Sequence, residues 1–357
     1  MAKEGLNYAP KGKAEAVCKP GEFPFAVGAL DHGHIFGQTN GLLEAGGELR
    51  WVYDPDPKKV EAFREQYPQA QSVDSLDRIL DDPNIQMVAA AAIPSDRGPL
   101  GVRVMEAGKH YFTDKTPFTS LDQLADAKAA VARTGKRYMV YYSERLHVEC
   151  AVHAGVLIKE GVIGRVLQVI GLGPHRLSAD KRPDWFFKKA QYGGILTDIG
   201  SHQIEQFLYY TGSTDATVTH AAVANYNNKD AYPELEDFGE ANLVGNTGAT
   251  NYFRVDWFTP DALPTWGDGR TIILGTDGYL ECRKYIDPGT GGTQDVLILV
   301  NGSKEERHEL NGQVGFPFFG EMILDCLNGS DKAMSDDHIF KAAELCLVAQ
   351  EKAQKIE

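Results

Sequence analysis

Asp198 and His202 stand four residues apart, behind the glycine pair Gly193-Gly194. The apolar residues Ile195, Leu196 and Ile199, followed by Gln203, Glu205 and Gln206, read as a loop entering a helix near Ile195. On a helix this spacing puts both side chains on one face. Histidine is the side chain best suited to move a proton near neutral pH, and a carboxylate one turn away fixes its ring and stabilises its charged form. Gly200 lies between the two, and glycine inside a helix costs about 1 kcal/mol against alanine. A close approach to the backbone is therefore expected there. Spacing alone does not separate a catalytic pair from an ordinary helical one, so the elements around it must decide.

The chain has 357 residues, 43% hydrophobic and 24% charged, which suits about two globular domains. A net charge of −14, with no basic cluster, argues against nucleic acid as a partner. No apolar run is long enough to span a membrane, and Met1 to Pro20 lacks the apolar core of a signal peptide. The five cysteines (18, 150, 282, 326, 346) are widely spaced with no Cys-x-x-Cys. Reduced thiols in a cytoplasmic protein are expected, with no disulfide frame and no metal site.

Phe23 to Gly28 reads as a buried strand, Ala29 to Phe36 as a turn, and Gly37 to Ala45 as a helix. Gly28 and Gly33 match the outer glycines of G-x-G-x-x-G, where bare backbone admits a pyrophosphate at a helix N-terminus. Leu30 replaces the middle glycine, and His32 and His34 are additions. Glu48 to Tyr53 reads as a second strand ending at Asp54, where such a unit places the acid that binds the adenosine ribose. Pro55 follows with no arginine beside it, so NAD is expected over NADP. Further strands at Ile85–Ile93, His110–Thr113 and Tyr138–Tyr142 alternate with helices at Lys58–Tyr67, Ser75–Asp81, Leu100–Ala107 and Leu121–Thr134. That alternation predicts an α/β fold with a doubly wound parallel sheet. Ligands bind outside the carboxyl ends of such strands, where Gly28, Asp54, Pro94 and Lys115 fall. After Val162 seven strand-like runs follow one another without helices, from Val166–Gly171 to Val296–Val300. They predict a second, α+β domain with a large, mostly antiparallel sheet. Phe318–Leu327 and Ile339–Lys355 read as helices. The expected boundaries are an N-terminal extension (1–22), a Rossmann domain (23–143) and a substrate and oligomerisation domain (144–357), with the last helix packing back on the Rossmann domain.

These pieces resemble the Gfo/Idh/MocA oxidoreductases, from Phe25 to the C-terminus. The family's glycine-rich turn is Gly28 to Gly33. Its Glu-Lys-Pro reads here as Asp114-Lys115-Thr116-Pro117. Its Gly-Gly-x-x-x-Asp-x-Gly-x-His is matched in full by Gly193, Gly194, Asp198, Gly200 and His202. Glu205 stands where the family usually has aspartate, and Arg145 with Glu160-Gly161-Val162-Ile163-Gly164 is similar to its bridge between domains. The family's histidine after the fourth strand is absent from Pro94-Ser95-Asp96-Arg97-Gly98.

The resemblance implies hydride transfer between a sugar, polyol or sugar-derived acid and NAD, with Lys115, Asp198 and His202 catalytic. Gly28, Leu30, His32, Gly33, Asp54, Pro94, Asp114 and Lys115 are then the expected cofactor contacts. Substrate contacts are expected from Lys115, Arg145, His175, Arg176, Trp185, Asp198 and His202. The fold also serves dinucleotide-using glycosidases or lyases and non-catalytic dinucleotide-binding sensors, which are the alternatives. Helices such as Gly194 to Tyr210 can cover only one face of this sheet, so a homodimer or homotetramer is expected; Phe253, Val255 and Trp257 predict burial of one side, with Arg254 and Asp256 pairing across a two-fold.

Overall fold

The computed structural model describes residues 9–12 and 15–357; the rest of the N-terminal extension lies outside the described residues. The chain divides into two compact units, one running to Tyr141 and taking in Phe316–Ile339, the other comprising Tyr142–Gly315 with Phe340–Glu357. The C-terminal segment that joins the first unit is therefore Phe316–Ile339, and the last helix from Phe340 onward belongs with the second.

In the first unit, β1 (Pro24–Val27) is apolar and wholly buried, as a parallel strand covered on both faces must be. It is followed by α1 (His34–Glu44), β2 (Glu48–Val52), α2 (Pro57–Gln66), β3 (Gln71–Ser72) and α3 (Leu76–Leu80). Then come β4 (Met87–Ala90), α4 (Pro94–Glu106), β5 (His110–Asp114), α5 (Leu121–Thr134) and β6 (Tyr138–Tyr141). The six strands are all parallel, in the order β3-β2-β1-β4-β5-β6. Local chemistry sets the helix ends. The Asp56, Ser75 and Ser120 side chains each accept from a backbone N–H of the first turn, and α5 stops at Gly135, whose φ of 66° suits glycine. The residues expected to form a loop after the fourth strand instead begin α4. Pro94 fits its first turn because the missing N–H has no partner to lose there, and the helix continues through Pro99.

The second unit opens with α6 (Ser143–Leu146) and α7 (Glu149–Lys159) before β7 (Val166–Pro174). Next come α8 (Lys189–Tyr192), α9 (Ile195–Asp198) and α10 (Gly200–Thr211). The sheet is completed by β8 (Ala216–Ala224), β9 (Phe238–Gly245), β10 (Thr250–Asp256), β11 (Arg270–Gly275), β12 (Gly278–Arg283), β13 (Val296–Asn301) and β14 (Glu305–Glu309). After α11 (Pro317–Asn328) and α12 (Asp336–Lys352), β15 (Gln354–Ile356) pairs with β8 at the sheet edge. The order is β14-β13-β12-β11-β7-β10-β9-β8-β15. Among the described residues of this sheet, only β7·β10 and β8·β15 are parallel. The expected helix to Lys355 thus ends at Lys352 and gives way to a strand.

Glycines in β7 let α10 lie close. A Cβ on Gly171 would stand 2.2 Å from Gln203 Oε1, and one on Gly173 would stand 3.0 Å from its Nε2. The predicted close approach at Gly200 is made by Phe253 of β10, whose ring would lie 3.2 Å from an added Cβ.

Candidate active site

In the first unit, the turn after β1 leads into α1, where Gly33 offers no side-chain cap and His32 Nδ1 accepts from His34 N (3.2 Å). The Ile35 and Phe36 amides donate to the carbonyls of His32 and Gly33 (3.2 Å each), so what the turn offers an anion is the positive end of the helix dipole. Asp54 ties this turn to the end of β2: Oδ2 accepts from Leu30 N (2.8 Å) and Oδ1 from Asp56 N (2.9 Å). Burial pushes its carboxyl up, against the pull of those two amides and of Lys59. A carboxylate retains further lone pairs after two such bonds, so Asp54 can still accept ribose hydroxyls. Beside it opens a groove of about 930 Å³, lined by Tyr53, Pro55, Arg64, Ser72 and Val73 among others. Helix N-terminus, carboxylate and groove together fit a dinucleotide. Gly28 has a second reason to be glycine, since a Cβ there would stand 2.8 Å from Val88 Cγ1.

At the end of β5, Asp114 is fully buried against Arg97 and the rings of His32 and His34. His34 Nδ1 lies 2.8 Å from Oδ1, while His32 Nδ1 and Arg97 Nη2 lie 3.2 and 3.1 Å from Oδ2. Burial alone would raise the Asp114 carboxyl; His34, Arg97 and His32 outweigh it and hold it well below the usual range. Burial likewise pushes His32 far down, helped by His34, Lys115 and Arg97. Arg97 also donates to the carbonyls of Ala92, Lys115 and Thr116. It thereby fixes the turn that carries Lys115, which is itself buried. His32, His34 and Asp114 have ligand atoms within 4.8 Å of one another. Arg97 and Lys115 already place two positive charges at this cluster, which opposes a cation and favours an anion.

In the second unit, Asp198 ends α9 and His202 lies in the first turn of α10. The helix expected to run unbroken from Ile195 is interrupted at Ile199, which keeps helical dihedrals (φ −73°, ψ −37°). The i,i+4 relation survives, and both side chains are buried. Tyr142 meets the His202 ring edge-on at 6.5 Å. Arg182 is drawn electrostatically to Asp198, although burial pushes its guanidinium down to about 10, and it lies over the rings of Phe186 and Trp257.

Behind His202 is a buried group that motif reading missed. Glu144 Oε2 accepts from Lys284 Nζ (2.8 Å) and Gln203 Nε2 (2.9 Å). Burial would raise this carboxyl, but Lys284, His202 and His175 hold it well below its ordinary value. Glu144 adjoins the noticed Arg145, and Lys284 follows β12; neither belongs to any sequence pattern.

The expected substrate residues divide into two groups. His175 is half-buried, with its ring 4.5 Å from Trp266 and 5.5 Å from Trp257. Trp185 is half-buried on a short 3-10 turn beside Phe186. Arg145 and Arg176 correct the reading, because both guanidinium groups are buried and committed within the fold. Arg145 forks onto Glu205 (Nε to Oε1 2.8 Å) and stacks on Tyr209. Arg176 holds the loop at Pro260, Asp261, Leu263 and Thr265. The sequence marks an arginine but not whether carboxylates and carbonyls of the fold already use its donors.

Two family profiles match the chain: an oxidoreductase family with NAD-binding Rossmann fold over residues 27–142, and the GFO/IDH/MocA C-terminal domain over 152–281. A putative oxidoreductase from Erwinia carotovora atroseptica, known by crystal structure, is 48% identical. It covers 94% of this chain and 100% of its own, with a TM-score of 0.91. D-xylose dehydrogenase of Paenarthrobacter nicotinovorans is 28% identical over 152 residues, 40% of this chain and only 38% of that protein. The scyllo-inositol 2-dehydrogenase (NADP(+)) of Bacillus subtilis is 24% identical over 276 residues, 77% of this chain and 70% of its own. Motifs, fold and profiles agree: the chain belongs to the Gfo/Idh/MocA family of NAD(P)-dependent oxidoreductases.

Proposed function

We propose that this chain is a dehydrogenase of CH–OH groups, acting on a sugar, polyol or sugar-derived acid and preferring NAD to NADP. The observation that carries the reading is the complete Gly193-to-His202 motif on buried helix, with His202 beside the charge of Glu144. Bound nicotinamide would supply or accept the hydride. Lys115 orients the reacting hydroxyl and stabilises its developing negative charge. His202 carries the hydroxyl proton, and Asp198 orients the group that does so. His175 and Trp185 are the remaining candidates for substrate contact. Asp54 supports NAD because a carboxylate repels a 2′-phosphate. Lys59 Nζ lies 3.8 Å from Asp54 but is already bonded to Asp31 (2.5 Å), which blunts its pull on such a phosphate. The active form is a homodimer or homotetramer. The deciding experiment screens sugars, polyols and their acids with NAD and with NADP, following the absorbance of reduced cofactor. No reduction with any of them, at cofactor concentrations shown to bind, would overturn the reading.

A further inference from the structure

Glu144 is buried, charged and unused by the reaction just outlined. It lies on α6, which packs against α10. Its Oε2 is held from two sides by Lys284 and Gln203. Gln203 cannot drift, because its amide occupies the slot that Gly171 and Gly173 leave open. Lys284 Nζ also donates to Gln206 Oε1 (2.9 Å), and Gln206 Nε2 donates to the His202 carbonyl (2.8 Å). Thr271 Oγ1 completes the set on Gln206 Oε1 (3.2 Å). These contacts tie the carboxylate to the turn of α10 that carries His202. The second oxygen, Oε1, is buried with no hydrogen bond among the described residues. A buried carboxylate oxygen left so is costly unless a positive or proton-bearing group stands near, and the nearby groups that attract it beside Lys284 are His202 and His175.

We propose that Glu144 is a positioning residue for proton transfer: a fixed negative charge, clamped by Lys284 and Gln203, that serves His202. It fixes the turn of α10 that carries His202, and its charge favours the protonated ring. This rests on His202 being the proton carrier. The other charged and titratable groups around His202 do not replace it. On α10, both oxygens of Glu205 accept from Arg145, whereas Glu144 Oε1 has no hydrogen bond among the described residues. Before α6, Tyr142 is kept as neutral phenol by burial, with Cys346 of α12 and Glu205 adding to the effect. Asp198 has Arg182 opposite it. Lys284, after β12, carries the opposing charge.

The test is an NMR titration of ring-¹⁵N-histidine-labelled full-length protein, with the His202 signal assigned by its loss in His202→Asn. In Glu144→Gln the negative charge disappears while the Lys284 ammonium remains. His202 should then bind its proton at least about tenfold more weakly, a shift of about one pH unit. Glu144→Asp should restore part of that affinity. With an active substrate, Glu144→Gln should lower kcat and move the pH–rate profile by the same interval, leaving dinucleotide affinity unchanged. An unchanged His202 midpoint in folded Glu144→Gln overturns the proposal. If that variant does not fold, the ¹³Cδ signal of Glu144 in the wild type is followed instead. It should show an inflection at the His202 midpoint that vanishes in His202→Asn, and its absence overturns the proposal equally. A shifted midpoint in a protein that oxidises no carbohydrate would leave this inference standing and sink the dehydrogenase reading.

Discussion

Replacing His202 with alanine should cut turnover by ~10²–10⁴-fold, the usual worth of a positioned acid–base. Dinucleotide affinity should hardly move, because the expected phosphate contacts lie on the turn after β1. Lys115→Ala should be at least as severe, since it removes orientation and charge from the reacting oxygen together; Asp198→Ala should be milder. Steady-state kinetics with the best substrate, alongside a cofactor titration, separates these effects, and near-normal turnover in His202→Ala would rule the mechanism out. Asp54→Ser should weaken NAD and narrow its margin over NADP; a wild type that prefers NADP would show that Asp54 does not set the choice. Asp198, His202, Lys115 and Asp54 stand out in the sequence as candidates because each belongs to a motif with fixed spacing. Glu144, Lys284 and Arg97 do not, because each acts through a partner distant in sequence. Lys284 lies 140 positions from Glu144, and nothing local to either residue announces the pair.

At the scale of elements, the long amphipathic helices and buried strands followed from periodicity, and the failures have local causes. The charged β14 is a strand because β13 supplies its hydrogen bonds, so no apolar alternation marks it. The start of α4 was hidden by Pro94 and Pro99, which usually break a helix but here occupy it. Two tests belong to this scale. On α1, a Cβ at Gly41 would lie 2.3 Å from the Phe319 ring of α11. Gly41→Ala should therefore destabilise by about 1–3 kcal/mol through overpacking, despite alanine's better helix propensity, and denaturant unfolding would measure this. Just before β13, Asp295 sits at φ 53°, and burial, with Glu149 adding, pushes its carboxyl up to about 7. A raised carboxyl binds its proton more tightly in the folded state, so its contribution to stability is lost as pH rises from about 4 through about 7. Asparagine carries no such charge and tolerates positive φ. Asp295→Asn should thus raise Tm at about pH 8 and much less at about pH 5; equal shifts at both would refute the linkage.

For the whole molecule, composition and the change of texture after Val162 made both units legible, but not the chemistry of the second sheet's outer face. One face is covered by α7, α9 and α10. Because Gly171 and Gly173 face α10, their neighbours Ile170 and Leu172 point the other way. Across that outer face Tyr252, Ile170 and Ile272 stand in register. In the adjacent row Gln168, Leu274, Tyr279 and Val300 are aligned, with Leu274 44% and Tyr279 39% exposed. A sheet face left to water is normally polar; this one carries apolar rows on its central strands, and a surface of that kind marks an interaction site. A second copy of the chain is the expected occupant, since one self-complementary patch closes a dimer about a two-fold axis. Arg254 and Asp256, the expected cross-axis pair, already meet within their own strand at 3.3 Å; in a dimer the apolar rows are expected to supply most of the contact. Ultracentrifugation at micromolar concentration should give a dimer or tetramer of the 39.2 kDa chain, and Ile272→Lys with Leu274→Glu should shift it to monomer without lowering Tm at infinite dilution. A wild-type protein that sediments as a monomer would mean that these rows face water, at a cost in apolar exposure of ~25 cal/mol per Å².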